Sequence, residues 1–194
     1  MQNEDIVTTE QLDKDVDEII QKVNKKKSKS KSLFWFVFEM VIWCTVIIAG
    51  IKIFFCFYKL PEVQGSSMEP TYYNGDVLLA RVTKNVSHND IVVVWSDNFD
   101  EYLIKRVIGV AGDHIEINNG VLKRNGEIIV EEYLNEKSWG ADTNLDVIVP
   151  EKTIFIMGDN RNHSADSRTI GCVSIDNIYG RVVKKVNWLK KWMH

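Results

Sequence analysis

The chain has 194 residues and a net charge of −3, enough for one domain and an anchor, and too close to neutral for bulk charge to suggest nucleic-acid binding. The charge is segregated, however. Residues 1–21 hold seven acids and one base, residues 22–32 six lysines and no acid, and residues 60–194 fifteen bases and nineteen acids. Of the three cysteines, Cys44 and Cys56 lie in an apolar run, which leaves Cys172 without a disulfide partner in the remainder. No Cys/His set has zinc-finger spacing, so no structural metal is expected.

The acidic N-terminus reads as a solvated segment, helical around Asp15–Lys22. Leu33–Tyr58 follows, apolar except for Glu39 and Lys52. It exceeds the roughly 20 residues needed to cross the hydrocarbon. A cleavable leader is a poorer reading, because the run is long and the segment before it extended. The lysine cluster before the run places the N-terminus in the cytoplasm by the positive-inside rule, and residues 59–194 outside. Three domains are thus expected: 1–32 cytoplasmic, 33–58 a transmembrane helix and 59–194 extracytoplasmic.

The external part reads as β. Apolar stretches predict strands at Asp76–Val82, Ile91–Trp95, Tyr102–Val110, His114–Ile117, Glu127–Glu132, Thr153–Met157 and Arg181–Val186. Turn dipeptides separate them, and Asn119-Gly120 and Asn125-Gly126 suit hairpins, since Asn-Gly tolerates positive φ at both central positions. The expected architecture is mostly β: a compact antiparallel catalytic domain preceded by one transmembrane helix.

Three segments carry chemistry. In VQGSSMEPT (Val63–Thr71), Ser67 lies between small residues and a proline turn, and amides around Gly65–Ser67 could form an oxyanion hole. In EYLIKRVIGVAGD, Lys105 follows 38 residues later. On a strand it shares a face with Leu103 and Val107, where desolvation lowers its pKa; the neutral amine can then take a serine proton. Arg106 points the other way and needs an acid, with Asp159 as the candidate partner. In TIFIMGDNRNHSADSR (Thr153–Arg168), a dense polar loop follows a strand. There Ser164 could hydrogen-bond the Lys105 amine, and Asp166 and Arg168 could pair. A Ser67–His163–Asp166 triad is the histidine alternative, with a bystander His163 the better reading; His88 sits in a polar turn, His114 on an expected strand and His194 at the terminus. The C-terminal KKVNWLKKWMH could rest on anionic headgroups through Lys, Trp188 and Trp192, or be an edge strand with a frayed end.

In this order, VQGSSMEPT with NGDVLLA, YLIKRVIGVAGD, FIMGDNRNHSADSR and GCVSIDNIYGRV resemble the boxes of bacterial type I signal peptidases (leader peptidases), in the short single-span Gram-positive form. The resemblance covers about residues 33–186. It implies a mostly β catalytic fold, Ser67 as nucleophile, Lys105 as general base and Ser164 as an aid in positioning Lys105. It implies membrane-bound removal of signal peptides from secreted preproteins after small residues, at Ala-X-Ala type sites. No cofactor follows from it. The implied partners are preprotein signal peptides and membrane lipid, close to the secretion translocon, with no nucleic acid. Gly65 stands where some members have a serine that lines the oxyanion hole, and Ala111 where a proline is usual. The rival readings are a self-cleaving Ser-Lys protease-like domain and a non-catalytic, membrane-tethered β-domain that binds secretory partners.

Overall fold

The structure is a computed structural model that describes residues 9–134, 139 and 143–187. The chain divides after Ile53 into two units. Helix α1 runs unbroken from Thr9 to Phe57, which includes the predicted helical stretch. An exposed Glu18–Lys22 pair at 2.6 Å supports it at i,i+4 spacing, an arrangement worth a few tenths of a kcal/mol. Its Leu33–Phe57 portion is long and apolar enough to cross a membrane, with mean hydropathy 2.3, and none of it is buried. The helix stops one residue before the expected boundary, because Tyr58 opens strand β1 (Tyr58–Lys59) against the next strand.

The second unit holds two antiparallel sheets. The larger one contains β1, β2 (Leu78–Arg81), β3 (Ile91–Ser96), β4 (Glu101–Val110), β9 (Thr153–Met157), β10 (Val173–Ser174) and β11 (Ile178–Lys185), in the order β1-β2-β11-β3-β4-β9-β10. The smaller contains β5 (His114–Asn118), β6 (Val121–Arg124), β7 (Glu127–Ile128) and β8 (Asn144–Ile148), in the order β7-β6-β5-β8. Both Asn-Gly turns form as expected. Asn119, Gly120, Asn125 and Gly126 all have positive φ, between 47° and 82°, and they join β5 to β6 and β6 to β7.

The differences from the sequence reading have physical causes. β2 is shorter than Asp76–Val82 because Asp76 serves as a loop acceptor for Lys185 and Asn187. β7 ends at Ile128 rather than Glu132, since the chain leaves the sheet and Glu131 turns to Arg161. β8 lies outside the expected strands: it is a sheet edge with only Leu145 and Val147 half-buried. β11 is no edge strand. It is inserted between β2 and β3, and Val186 behind it is buried. Trp188 and Trp192, and His194, lie outside the described residues.

Three apolar clusters hold the strands. Ile108, Phe155 and Met157 of the large sheet pack with Ile115, Ile117 and Leu122 of the small one, so the two sheets share a core. Leu103 and Val107 join Val92 and Ile156 on one side of β4. Ile104 joins Met68 and Val93 on the other. Each buried aliphatic side chain contributes on the order of 1.5–3 kcal/mol, and β4 is covered on both faces. A lysine and an arginine in its middle therefore need an explanation.

Candidate active site

Ser67 lies on the turn-rich segment that follows β1. Val63 N–H donates to Asp76 O at 2.8 Å, Gly75 N–H to Val63 O at 2.8 Å and Tyr72 N–H to Met68 O at 2.9 Å, which closes the segment into a loop. Met68, 1% exposed, pins it to the core beside Ser67. Ser67 itself stays half-buried.

Lys105 sits mid-strand in β4, directly opposite Val92, a member of the Leu103/Val107 cluster. It is 3% exposed. Its Nζ donates to Ser67 Oγ at 2.8 Å and to Ile104 O at 3.1 Å. Desolvation pushes the Lys105 pKa down to about 8, against a smaller upward pull from the charges of Asp166, Glu101 and Asp159. An amine with that pKa is substantially neutral near pH 8 and within bonding reach of a hydroxyl. Serine and lysine, 38 residues apart in sequence, thus meet as expected.

Arg106 is also buried, at 8% exposed, and is held as foreseen. Its Nε donates to Asp159 Oδ1 at 2.8 Å and its Nη2 to Oδ2 at 2.5 Å. Burial alone would lower the guanidinium pKa; the hydrogen bonds and charge of Asp159 override it and hold it above its ordinary value. Thr71, which the sequence reading did not single out, adds a hydroxyl donated to Asp159 Oδ2 at 2.5 Å.

Asp166 and Arg168 pair as expected, with Arg168 Nε donating to Asp166 Oδ1 at 2.8 Å. Asp166 is fully buried, accepts Gly158 N–H at 2.9 Å and caps the short helix α2 (Ser167–Ile170) through Arg168 N–H. The loop meets the serine directly: Asn160 N–H donates to Ser67 O at 3.0 Å, and Asn160 Nδ2 to Ser66 O at 3.2 Å. Gly158 permits this approach. A Cβ there would lie 2.2 Å from Ser164 Oγ and 2.6 Å from Ser67 O.

Two expectations change, and the disfavoured histidine alternative fails. Ser164 does not hydrogen-bond Lys105; its buried Oγ has no partner among the described residues, because it lies against Gly158 while Lys105 Nζ is taken by Ser67 and Ile104. The Gly65 N–H is not free for an oxyanion, since it donates to Asn74 Oδ1 at 2.9 Å. The histidine triad does not assemble: His163 is exposed, and Asp166 is committed to Gly158 and Arg168. His88 pairs with Asp113 at 2.6 Å and His114 with Asp146 at 2.7 Å. Among the described residues, His114, Glu116 and Asp146 bring ligand atoms within 4.8 Å of one another, but none lines the groove that holds Ser67.

That groove, about 820 Å³ in volume, is lined by Ser67, Lys105, Pro61, Gln64, Leu103, Ile104 and Ala165 among others. It offers an apolar wall beside a serine hydroxyl and a depressed-pKa amine, which together suit covalent acyl transfer.

Comparison with known proteins identifies the family. The family model described as "Signal peptidase, peptidase S26" matches residues 35–188. Signal peptidase I P of Bacillus subtilis subsp. natto is 33% identical over 169 residues, 80% of this chain and 89% of that protein. Signal peptidase I U of Bacillus subtilis strain 168 is 34% identical over 168 residues, 80% of this chain and 87% of that protein. A crystal structure of a signal peptidase I from Enterococcus faecalis V583 matches with TM-score 0.45 and 29% identity, over 52% of this chain and 97% of that one. The chain belongs to the signal peptidase family, peptidase S26, and is a serine endopeptidase of the signal peptidase I type.

Proposed function

We propose that the protein removes N-terminal signal peptides from secreted preproteins with a Ser67–Lys105 dyad, tethered to the membrane by Leu33–Phe57 with its catalytic domain outside. The observation that carries this reading is the 2.8 Å approach of a 3%-exposed lysine amine to a serine hydroxyl at the edge of an open groove. The signal peptide's end lies extended along the groove, and small side chains before the scissile bond fit shallow apolar recesses near Leu103 and Ile104. Neutral Lys105 takes the Ser67 proton as Oγ attacks the scissile carbonyl. The resulting ammonium returns a proton to the departing amine. Water, deprotonated by the same amine, then hydrolyses the acyl-enzyme. With the Gly65 amide committed to Asn74, the oxyanion falls to the Ser67 N–H and its neighbour at Ser66. The lysine cluster at residues 22–32 supports a cytoplasmic N-terminus, and preprotein substrates place the enzyme near the translocon.

The test is cleavage of a preprotein with an Ala-X-Ala site by the detergent-solubilised chain. Ser67→Ala and Lys105→Ala are expected to lose about four orders of magnitude in rate. Wild-type kcat/KM should rise with pH to a plateau, with its midpoint near the Lys105 value of about 8, because only the free amine can act as base. Substantial cleavage by folded Lys105→Ala would refute the dyad.

A further inference from the structure

Behind the groove lies a second buried charge that the dyad does not use. Arg161, 1% exposed, is the largest of the fully buried side chains among the described residues. A buried guanidinium is tolerated only when its donors are met and its charge is paired. Here Nε donates to Gly158 O at 2.9 Å, Nη1 donates to Glu131 Oε2 at 2.9 Å, and Nη2 donates to Glu131 Oε1. Tyr133 OH also donates to Glu131 Oε1, at 2.7 Å. The Trp139 ring lies 4.5 Å from the Arg161 guanidinium carbon. Glu131, Tyr133 and Trp139 all lie between β7 and β8 in the chain.

This segment reaches both halves of the reacting pair. Arg161 directly follows Asn160, whose two donors hold the carbonyls of Ser66 and Ser67. On the other side, the Tyr133 ring stacks 3.9 Å from the Arg106 guanidinium carbon, next to Lys105 on β4. The Asp166–Arg168 pair secures the far end of the Gly158–Arg168 loop; the Glu131–Arg161 pair secures the near end, where the loop touches the serine. Lys105 is held by the pairing of β4 with Val92 of β3, and from Arg106 onward β4 also pairs with β9. A shift of Asn160 therefore moves Ser67 relative to its base, and proton transfer is steeply sensitive to such misplacement.

We propose that Glu131 is a positioning residue for the nucleophile: through Arg161 it fixes Asn160, and Asn160 fixes the Ser67 backbone against Lys105. The inference rests on the reading of Ser67 as nucleophile. The chain that leaves the small sheet after β7 then has a part in catalysis.

The experiment compares kcat and KM for preprotein cleavage in the full detergent-solubilised chain for wild type, Glu131→Gln, Tyr133→Phe, Ser67→Ala and Ile178→Val, a core control in β11 that lowers Tm without touching the loop. Glu131→Gln should lower kcat about tenfold to a hundredfold, with KM within about twofold of wild type. Tyr133→Phe, which keeps the ring and removes one hydrogen bond to Glu131, should lower kcat by a smaller factor and serves as the test if Glu131→Gln does not fold. The proposal is overturned if folded Glu131→Gln keeps wild-type kcat, or loses no more activity than Ile178→Val at the same remaining margin below Tm. Ser67→Ala separates the two readings. Cleavage surviving there overturns the dyad itself, whereas wild-type kcat in Glu131→Gln beside an inert Ser67→Ala overturns the positioning role alone.

Discussion

Lys105 and Arg106 are neighbours on one strand, both cationic and both buried, yet they end in opposite states. Arg106 faces a carboxylate that meets it with two hydrogen bonds, so its charge is held. Lys105 faces a hydroxyl and a carbonyl and aliphatic neighbours, so desolvation wins and its pKa falls to about 8. Burial is common to both; the partner decides the protonation state. One side of β4 is thereby a structural ion pair and the other a candidate base, and strand alternation alone keeps them apart.

The largest effect should come from erasing the chemical difference. Lys105→Arg keeps a cation in place, but a guanidinium stays protonated at any working pH. Its preprotein cleavage rate is expected to fall by about four orders of magnitude, as for removal of the base. Cleavage within tenfold of wild type would show that Lys105 need not be neutral.

Next is the loss of the partner that holds Arg106. Asp159→Ala leaves a buried guanidinium unpaired, a change that destabilises by about 3–5 kcal/mol, read as a lower urea midpoint. The companion Lys105→Met should act in the opposite direction. The folded Lys105 pKa is lowered from its ordinary 10.5 to about 8, so the unfolded chain binds the extra proton between about pH 8 and 10.5. Wild-type stability therefore rises with pH across that window, and the penalty is fully present below pH 8. At about 1.4 kcal/mol per unit, Lys105→Met should be more stable than wild type at pH 7, by up to about 3 kcal/mol, and inactive. The gain should disappear near pH 10.5. Equal stability of the two proteins at pH 7 would mean that Lys105 is not desolvated.

Much of this comparison was legible beforehand. Strand alternation in YLIKRVIGV separates Lys105 from Arg106 without any coordinates, and a buried arginine requires an acid, which the GDN sequence after an apolar strand supplied as Asp159. The Asn-Gly pairs marked two hairpins because few other dipeptides accept positive φ twice in succession. Ser164 was different. A hydroxyl near a lysine in sequence logic did not become a hydrogen bond, because the Lys105 amine found Ser67 and a backbone carbonyl instead. Glu131, Tyr133 and Trp139 gave no signal at all, since nothing in EEYLNEKSW marks which acid turns inward.

The sequence by itself determined the apolar helix, the β character of the remainder, the serine and lysine that meet, and the family to which the chain belongs. These follow from composition, local periodicity, turn chemistry and the order of short motifs along the chain, none of which needs to know which distant residues pack together. Only the tertiary structure decided that β11 lies between β2 and β3, that Asn160 holds the backbone of Ser67, and that Glu131 reaches Arg161. Those pairings join residues 30 to about 100 positions apart. They depend on which buried polar groups find partners once the two sheets close on their common core, and no local pattern encodes that outcome.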